Sequence, residues 1–93
     1  MSKLEGFVRA IKEVNEISDS FKKREFSIQD TNEKYPQYIK FELSQDKVDL
    51  IDNFAVDQKV IVSYNLKGRE WTNKEGEVQT FNSLEAWKIE AND

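Results

Sequence analysis

Cysteine and histidine are both absent from this 93-residue sequence. The first absence removes disulfides and thiolate metal sites, and the second removes the commonest general base and metal-binding side chain. Most hydrolase and metalloenzyme chemistries go with them, and neither a catalytic centre nor a cofactor is expected. Glycine and proline are scarce, three residues and one (Gly6, Gly68, Gly76 and Pro36). No linker, low-complexity stretch or phosphate-cradling glycine motif can be built from so few. No apolar run exceeds three residues, as at Val60 to Val62, far below the ~18 to 20 that cross a bilayer. With no signal-peptide core at the charged N-terminus, a soluble cytoplasmic protein without membrane association is expected. Positive charge is also in deficit, 14 basic against 18 acidic side chains for a net −4. Bulk attraction to nucleic acid is therefore excluded, and any such binding must use a local patch.

What the sequence does have is aromatic and apolar mass. Aromatics make up 12% and apolar residues 38%, too much core-forming material for a disordered chain. A chain of this size folds to about 5,600 Å² of surface, burying roughly two thirds of what the unfolded chain exposes. One small core over residues 1–93 is expected, with no second domain.

Lys22 to Asp30 and Tyr38 to Leu43 each alternate apolar with polar residues, so both read as half-buried strands. The polar link from Thr31 to Pro36 makes them a hairpin with a longish loop. Ser44 can cap a helix of about ten residues carrying Val48, Ile51 and Phe54 at one-turn spacing. Lys59 to Leu66 and Phe81 to Glu90 read as two further strands around a polar stretch, Thr72 to Thr80. The N-terminal segment is ambiguous. Leu4, Phe7, Ile11 and Val14 recur at helical spacing, whereas Gly6 and the β-branched Val8, Ile11, Val14 and Ile17 suit a long bent strand with a bulge. Strand, strand, strand, helix, strand, strand is the order of the OB-fold, which favours the strand reading. The expected fold is all-β with one short helix: a five-stranded OB-fold Greek-key barrel with its helix between strands three and four.

Four segments carry a resemblance: Lys23-Arg24-Glu25-Phe26, Tyr35-Pro36 leading into Ile39-Lys40-Phe41, Tyr64 to Trp71, and Phe81 to Trp87. They resemble a family of short, single-domain bacterial and phage OB-fold proteins, long known only as a domain of unknown function and related to single-stranded DNA-binding proteins. The resemblance covers nearly the whole chain and implies the same fold and single-strand binding. There are two departures. Where a glycine is expected in the turn entering strand four, this chain has Asp57-Gln58, a modest change because Asp tolerates a left-handed conformation. The sequence also closes at Ala91-Asn92-Asp93 without the acidic tail through which bacterial relatives recruit partners, so that recruitment is not expected.

Single-strand binding needs cations for phosphates and flat exposed side chains for bases on one face. If Phe26, Ile28, Ile39, Phe41 and Leu43 point inward, Lys23, Tyr38 and Lys40 point outward. Lys22, Lys23 and Arg24 form the densest basic run. Lys67, Arg69, Trp71 and Lys74 follow around Gly68, with Phe81 opposite. These ten residues are the candidate site. The competing reading of each is structural: a solvated strand start for the basic run, Trp71 folded on its own hairpin under Arg69, Phe81 in the core. Trp87 reads as core or subunit-interface packing, Tyr35 and Tyr64 as structural, and Asp46, Asp49, Asp52 and Asp57 as solvated acid.

The leading expectation is a non-catalytic protein that binds single-stranded DNA with little sequence preference in replication, recombination or repair, with a homo-oligomer as one assembly. Two alternatives remain open, an OB-fold protein-interaction module and a single-stranded RNA binder.

Overall fold

Phe26 and Ile28 on one strand and Phe41 and Leu43 on the next share one side of a two-stranded ribbon, and that side has to be covered. In the computed structural model, which describes residues 2–92, the cover is a ring of strands. The elements are β1 (Ser2–Ile11), β2 (Asn15–Ser18), β3 (Phe21–Asp30), β4 (Tyr38–Ser44), two 3-10 turns (Gln45–Lys47 and Leu50–Asn53), β5 (Lys59–Thr72) and β6 (Val78–Ala91). The ambiguous N-terminal segment resolves to strand. β1 pairs with β3 up to Ile11 opposite Phe26, and β2 continues along β3 with Asn15 opposite Lys23. The two are one interrupted strand, and Arg9 is its bulge, the extra residue between the pairs Val8–Ile28 and Ala10–Ser27.

The ring runs β1–β5–β6–β4–β3 and back to β1. Two places make closure possible. At Gly6 the backbone of β1 is the partner of Asp30 on one side and of Val60 on the other. A Cβ there would fall on the Gln29 carbonyl and the Ile28 side chain, so only glycine lets the strands approach. At the opposite seam β4 and β6 run parallel and meet in a single pair, Glu42 with Glu85. Inside lie Val8, Phe26, Ile28, Phe41, Leu43, Val60, Val62 and Ala86, capped by Val48 and Ile51 from the 3-10 turns. Phe41 is central, with its ring centroid 5.5 Å from that of Phe26 and 5.2 Å from that of Tyr64.

The helical segment lies where the sequence places it but is two 3-10 turns, and Ser44 makes no capping hydrogen bond. Gln45 accounts for the difference. It opens the segment at φ 56, which an α-helix cannot continue from, and its side chain is committed elsewhere. The turn entering β5 has the left-handed residue expected there: Asp57 sits at φ 74 and donates its N–H to the Val8 carbonyl at 2.7 Å. Lys59 hydrogen-bonds Glu5 across β1–β5 at 3.0 Å, and that contact with the ammonium charge holds the Glu5 carboxyl below its usual pKa.

The stretch Thr72 to Thr80, expected as a long loop, is a short turn with strand at both ends. β5 and β6 are each 14 residues long, and only 73–77 turn between them. Asn73 organises the turn by accepting the N–H groups of Glu75 and Glu77 at 3.0 and 2.9 Å, with Gly76 at φ 81. Beyond Tyr64 every residue of β5 is exposed, as is β6 from Val78 to Asn82, so the end of the hairpin stands free of the core as an arm exposed on both faces. The radius of gyration is accordingly 14.8 Å, against about 12 Å for a compact chain of this length.

Two substitutions test this account by urea unfolding. Gly6→Ala is expected to cost about 1 to 3 kcal/mol through forced separation of β1 and β3. Asp57→Gly is expected to gain about 0.5 to 1 kcal/mol by relieving the left-handed conformation, since its exposed contact with Arg9 at 3.4 Å contributes little. A neutral Gly6→Ala contradicts the close-approach reading.

Candidate nucleic-acid interface

Alternation decides where the basic run goes, because three consecutive residues of a strand cannot share a face. The run Lys22-Lys23-Arg24 is split accordingly. Lys23 faces outward, with its ammonium 2.9 Å from the Glu42 carboxylate. Arg24 takes the core-side face: its Nε donates to the Lys12 carbonyl at 2.7 Å, and one terminal nitrogen donates to the Val48 carbonyl at 3.0 Å and pairs with Asp52 at 2.9 Å. Its side chain is only 12% exposed. The guanidinium ties the break between β1 and β2 to the 3-10 turns. Lys22 is exposed at the β2–β3 end, beside Glu16 and Gln45 and away from Lys23.

The arm obeys the same rule. Lys67, Arg69 and Trp71 fall on one face of β5, and the register puts Ser83, Phe81 and Gln79 opposite them on β6. Arg69 and Phe81 are direct partners. Where the arm leaves the barrel it forms a groove of about 570 Å³ with the β3–β4 surface. The groove brings together four of the ten candidate residues, Lys23, Lys67, Arg69 and Phe81, and is lined also by Glu42, Asn82 and Ser83. Trp71 and Lys74 continue the surface outward along the arm and at its turn; Trp71 is 55% exposed and Phe81 49%. Lys40 lies in an adjoining depression that shares Glu42, Asn82 and Ser83 with the groove. Tyr38 stays outside both, exposed at the far end of β4 opposite Gln29.

Phe21 belongs to the groove and was not among the candidates. Counting back two residues from Lys23 along the outward face reaches it. Its position is set by Gln45, whose side chain accepts from the Lys22 N–H at 3.1 Å and donates to the Ser20 carbonyl at 2.9 Å. The strained backbone at Gln45 thus pins the two-residue turn that presents Phe21.

The cations differ in availability. Lys23 is paired with Glu42, Lys40 with Glu25 at 3.6 Å, and Lys67 with Glu85 at 3.9 Å. Arg69, Lys74 and Lys22 have no carboxylate partner among the described residues. One aromatic expectation changes, and for Trp87 the core alternative falls while the subunit-interface one stands. Tyr35 is 65% exposed in the 31–37 loop, with the Lys34 ammonium 5.6 Å from its ring. Trp87 lies outside the core cluster: it is half-buried and is the extra residue of the bulge in β6, where Ser63 pairs with Lys88 and Tyr64 with Ala86. Among the described residues no group of three or more acids is placed to hold a metal, and no helix is long and apolar enough to cross a membrane.

This geometry has known counterparts. Residues 3–90 match the family described as Domain of unknown function (DUF3127). The chain belongs to that family. No curated protein matches it in sequence. Among solved structures it is similar to the mitochondrial single-stranded DNA binding protein Rim1 of S. cerevisiae, at TM-score 0.66 and 15% identity over 97% of this chain and 93% of that one. It is similar also to the dimeric N-terminal domain of PriB from Thermoanaerobacter tencongensis, at 0.66 and 17% over 99% and 94%. A third likeness is to the Plasmodium falciparum SSB in its complex with ssDNA, at 0.60 and 20% over 99% and 93%. The fold of this DUF3127 chain is therefore the OB-fold, with β1 and β2 as its long bent first strand.

The Arg24 assignment is checked by stability. Arg24→Met leaves the Lys12 and Val48 carbonyls without their donor and is expected to cost about 1 to 3 kcal/mol in urea unfolding. Lys22→Met, two residues away on the surface, is expected to stay within about 0.5 kcal/mol. Equal effects contradict the strut.

Proposed function

We propose that this protein binds single-stranded DNA, without catalysis and without a cofactor, in the groove between its arm and the β3–β4 face. The observation that carries the reading is the arm face itself, where Arg69 and Phe81 stand as a direct pair between Lys67 and Trp71. Two exposed rings and an arginine with no carboxylate partner give alternating sites for bases and phosphates, which is what strand binding requires. Support comes from the likeness to Rim1, to PriB and to the Plasmodium SSB solved with ssDNA. A role in replication, recombination or repair follows from that chemistry, since single strands are exposed in all three. The PriB domain is dimeric, and a homo-oligomer of this chain would present more than one groove to a strand.

Arg69 and Lys74 are the phosphate contacts, joined by Lys67 once a strand displaces Glu85, while Lys23 stays paired with Glu42. Trp71 and Phe81 are the stacking platforms, with Phe21 at the groove mouth. Arg24 holds the fold and contributes nothing directly.

Fluorescence titration with an oligonucleotide over a range of salt tests the reading, because both tryptophans report. For about three to five phosphates, log K should fall against log salt with a slope of roughly −2 to −3.5. Arg69→Ala should flatten that slope by somewhat under one unit, and Asp49→Asn on the 3-10 segment should leave it unchanged. Trp71→Ala should weaken binding by about 1 to 3 kcal/mol with the fold intact. No binding at low salt contradicts the proposal and favours the protein-interaction module.

A further inference from the structure

The groove is not evenly basic. Each of its outward lysines is held by a carboxylate, and the most enclosed of these is Glu42, whose side chain is 17% exposed against 41% for Glu25 and 39% for Glu85. Glu42 stands where the groove meets the adjoining depression, a space of about 220 Å³ walled by Leu66 and Leu84. A phosphate has no place there. It would meet a charge of its own sign, and the nearest cation, Lys23, is already neutralised by Glu42 at 2.9 Å. The phosphates of a bound strand are thereby directed outward to Arg69 and Lys74, and its bases inward.

A neutral, flat base suits the depression. Leu66 and Leu84 offer apolar contact to its face, and the Glu42 carboxylate, which only accepts hydrogen bonds, keeps free lone pairs after its contact with Lys23. What that carboxylate accepts depends on the base. Adenine, cytosine and guanine each present an exocyclic amino group. Guanine presents N1–H and the 2-amino group side by side, a match for two carboxylate oxygens. Thymine presents one N–H between two carbonyls, and their lone pairs face the carboxylate unfavourably. The other polar groups are less selective. Asn82 and Ser83 donate or accept equally well, and the Lys40 ammonium is drawn off toward Glu25 at 3.6 Å.

We infer that Glu42 makes the junction of groove and depression a base-selecting subsite that takes amino-bearing bases, guanine best, in preference to thymine. The inference rests on the single-strand reading above and replaces its expectation of little sequence preference. Glu42 acts as a specificity residue in direct contact with the base, while overall affinity stays with Arg69, Trp71 and Phe81.

The test compares end-labelled strands by fluorescence anisotropy. A dT strand of about fifteen nucleotides, long enough for one OB-fold, is set against the same strand with every third thymine replaced by guanine or by hypoxanthine. Hypoxanthine differs from guanine only in lacking the 2-amino group. The guanine strand is expected to bind about fivefold or more tightly than all-dT, with most of that advantage lost on hypoxanthine. Glu42→Gln frees Lys23 and should tighten all three strands, so the ratio between strands is the readout, and in this variant it should fall to within about twofold. Equal affinity for guanine and thymine strands in the unaltered protein overturns the inference, as does a guanine preference that survives E42Q. Should E42Q fail to fold, the guanine–hypoxanthine comparison on the unaltered protein decides. If no strand binds at all, it is the single-strand reading itself that falls, and the subsite with it.

Discussion

At Gly6 the backbone of β1 belongs to two neighbours at once, Asp30 on β3 and Val60 on β5. There is no room for a side chain, and the ring closes only because none is present. The rest of the architecture depends on this closure. With β1 shared, β3 and β5 are held at a fixed separation, the rings of Phe26, Phe41 and Tyr64 pack in the space between them, and β4 is carried round to meet β6. The second seam is weak by comparison. It is one parallel pair that sets Glu42 beside Glu85, and like charges in that position repel. Lys23 and Lys67 sit against these two carboxylates and relieve the repulsion.

The same arrangement shapes the groove. Past the seam β6 no longer pairs with β4, so the arm diverges and the space between them opens. An acidic chain can attract a polyanion there only through side chains that its own carboxylates leave available. Arg69 and Lys74 meet that condition on the arm. On the proposed reading, a modest local field combined with exposed rings suits strands whose bases are unpaired, because a duplex presents phosphates and hides the flat faces that Trp71 and Phe81 would contact.

Much of this was legible in the sequence, and what escaped has identifiable physical causes. Period-two alternation gave the inward faces of β3 and β4, and Asp57 could be recognised as a left-handed residue. The alignment of Lys67, Arg69 and Trp71 on one face is readable from spacing alone, provided the strand runs on to Thr72. The largely polar composition of Lys67 to Thr80 hid that extension, because an arm exposed on both faces has no apolar side to mark it as strand. Arg24 was taken with its neighbours as a basic run, since proximity in sequence conceals that alternate residues face opposite ways. The 3-10 turns and the position of Phe21 both depend on Gln45, a residue whose left-handed backbone no local propensity announces. Trp87 sits at a bulge, where alternation stops being a guide.

The central claim is that the groove between arm and barrel is the binding surface, and the amide NMR spectrum tests it most directly. On titration with a mixed-sequence single strand, the account predicts saturable shifts at Phe21, Lys23, Glu42, Lys67 to Arg69 and Phe81 to Ser83. The 3-10 turns and the β1–β5 surface from Ser2 to Phe7 should be unmoved. Shifts confined to β1 and β5 outside the groove, or spread evenly over the molecule, would contradict it.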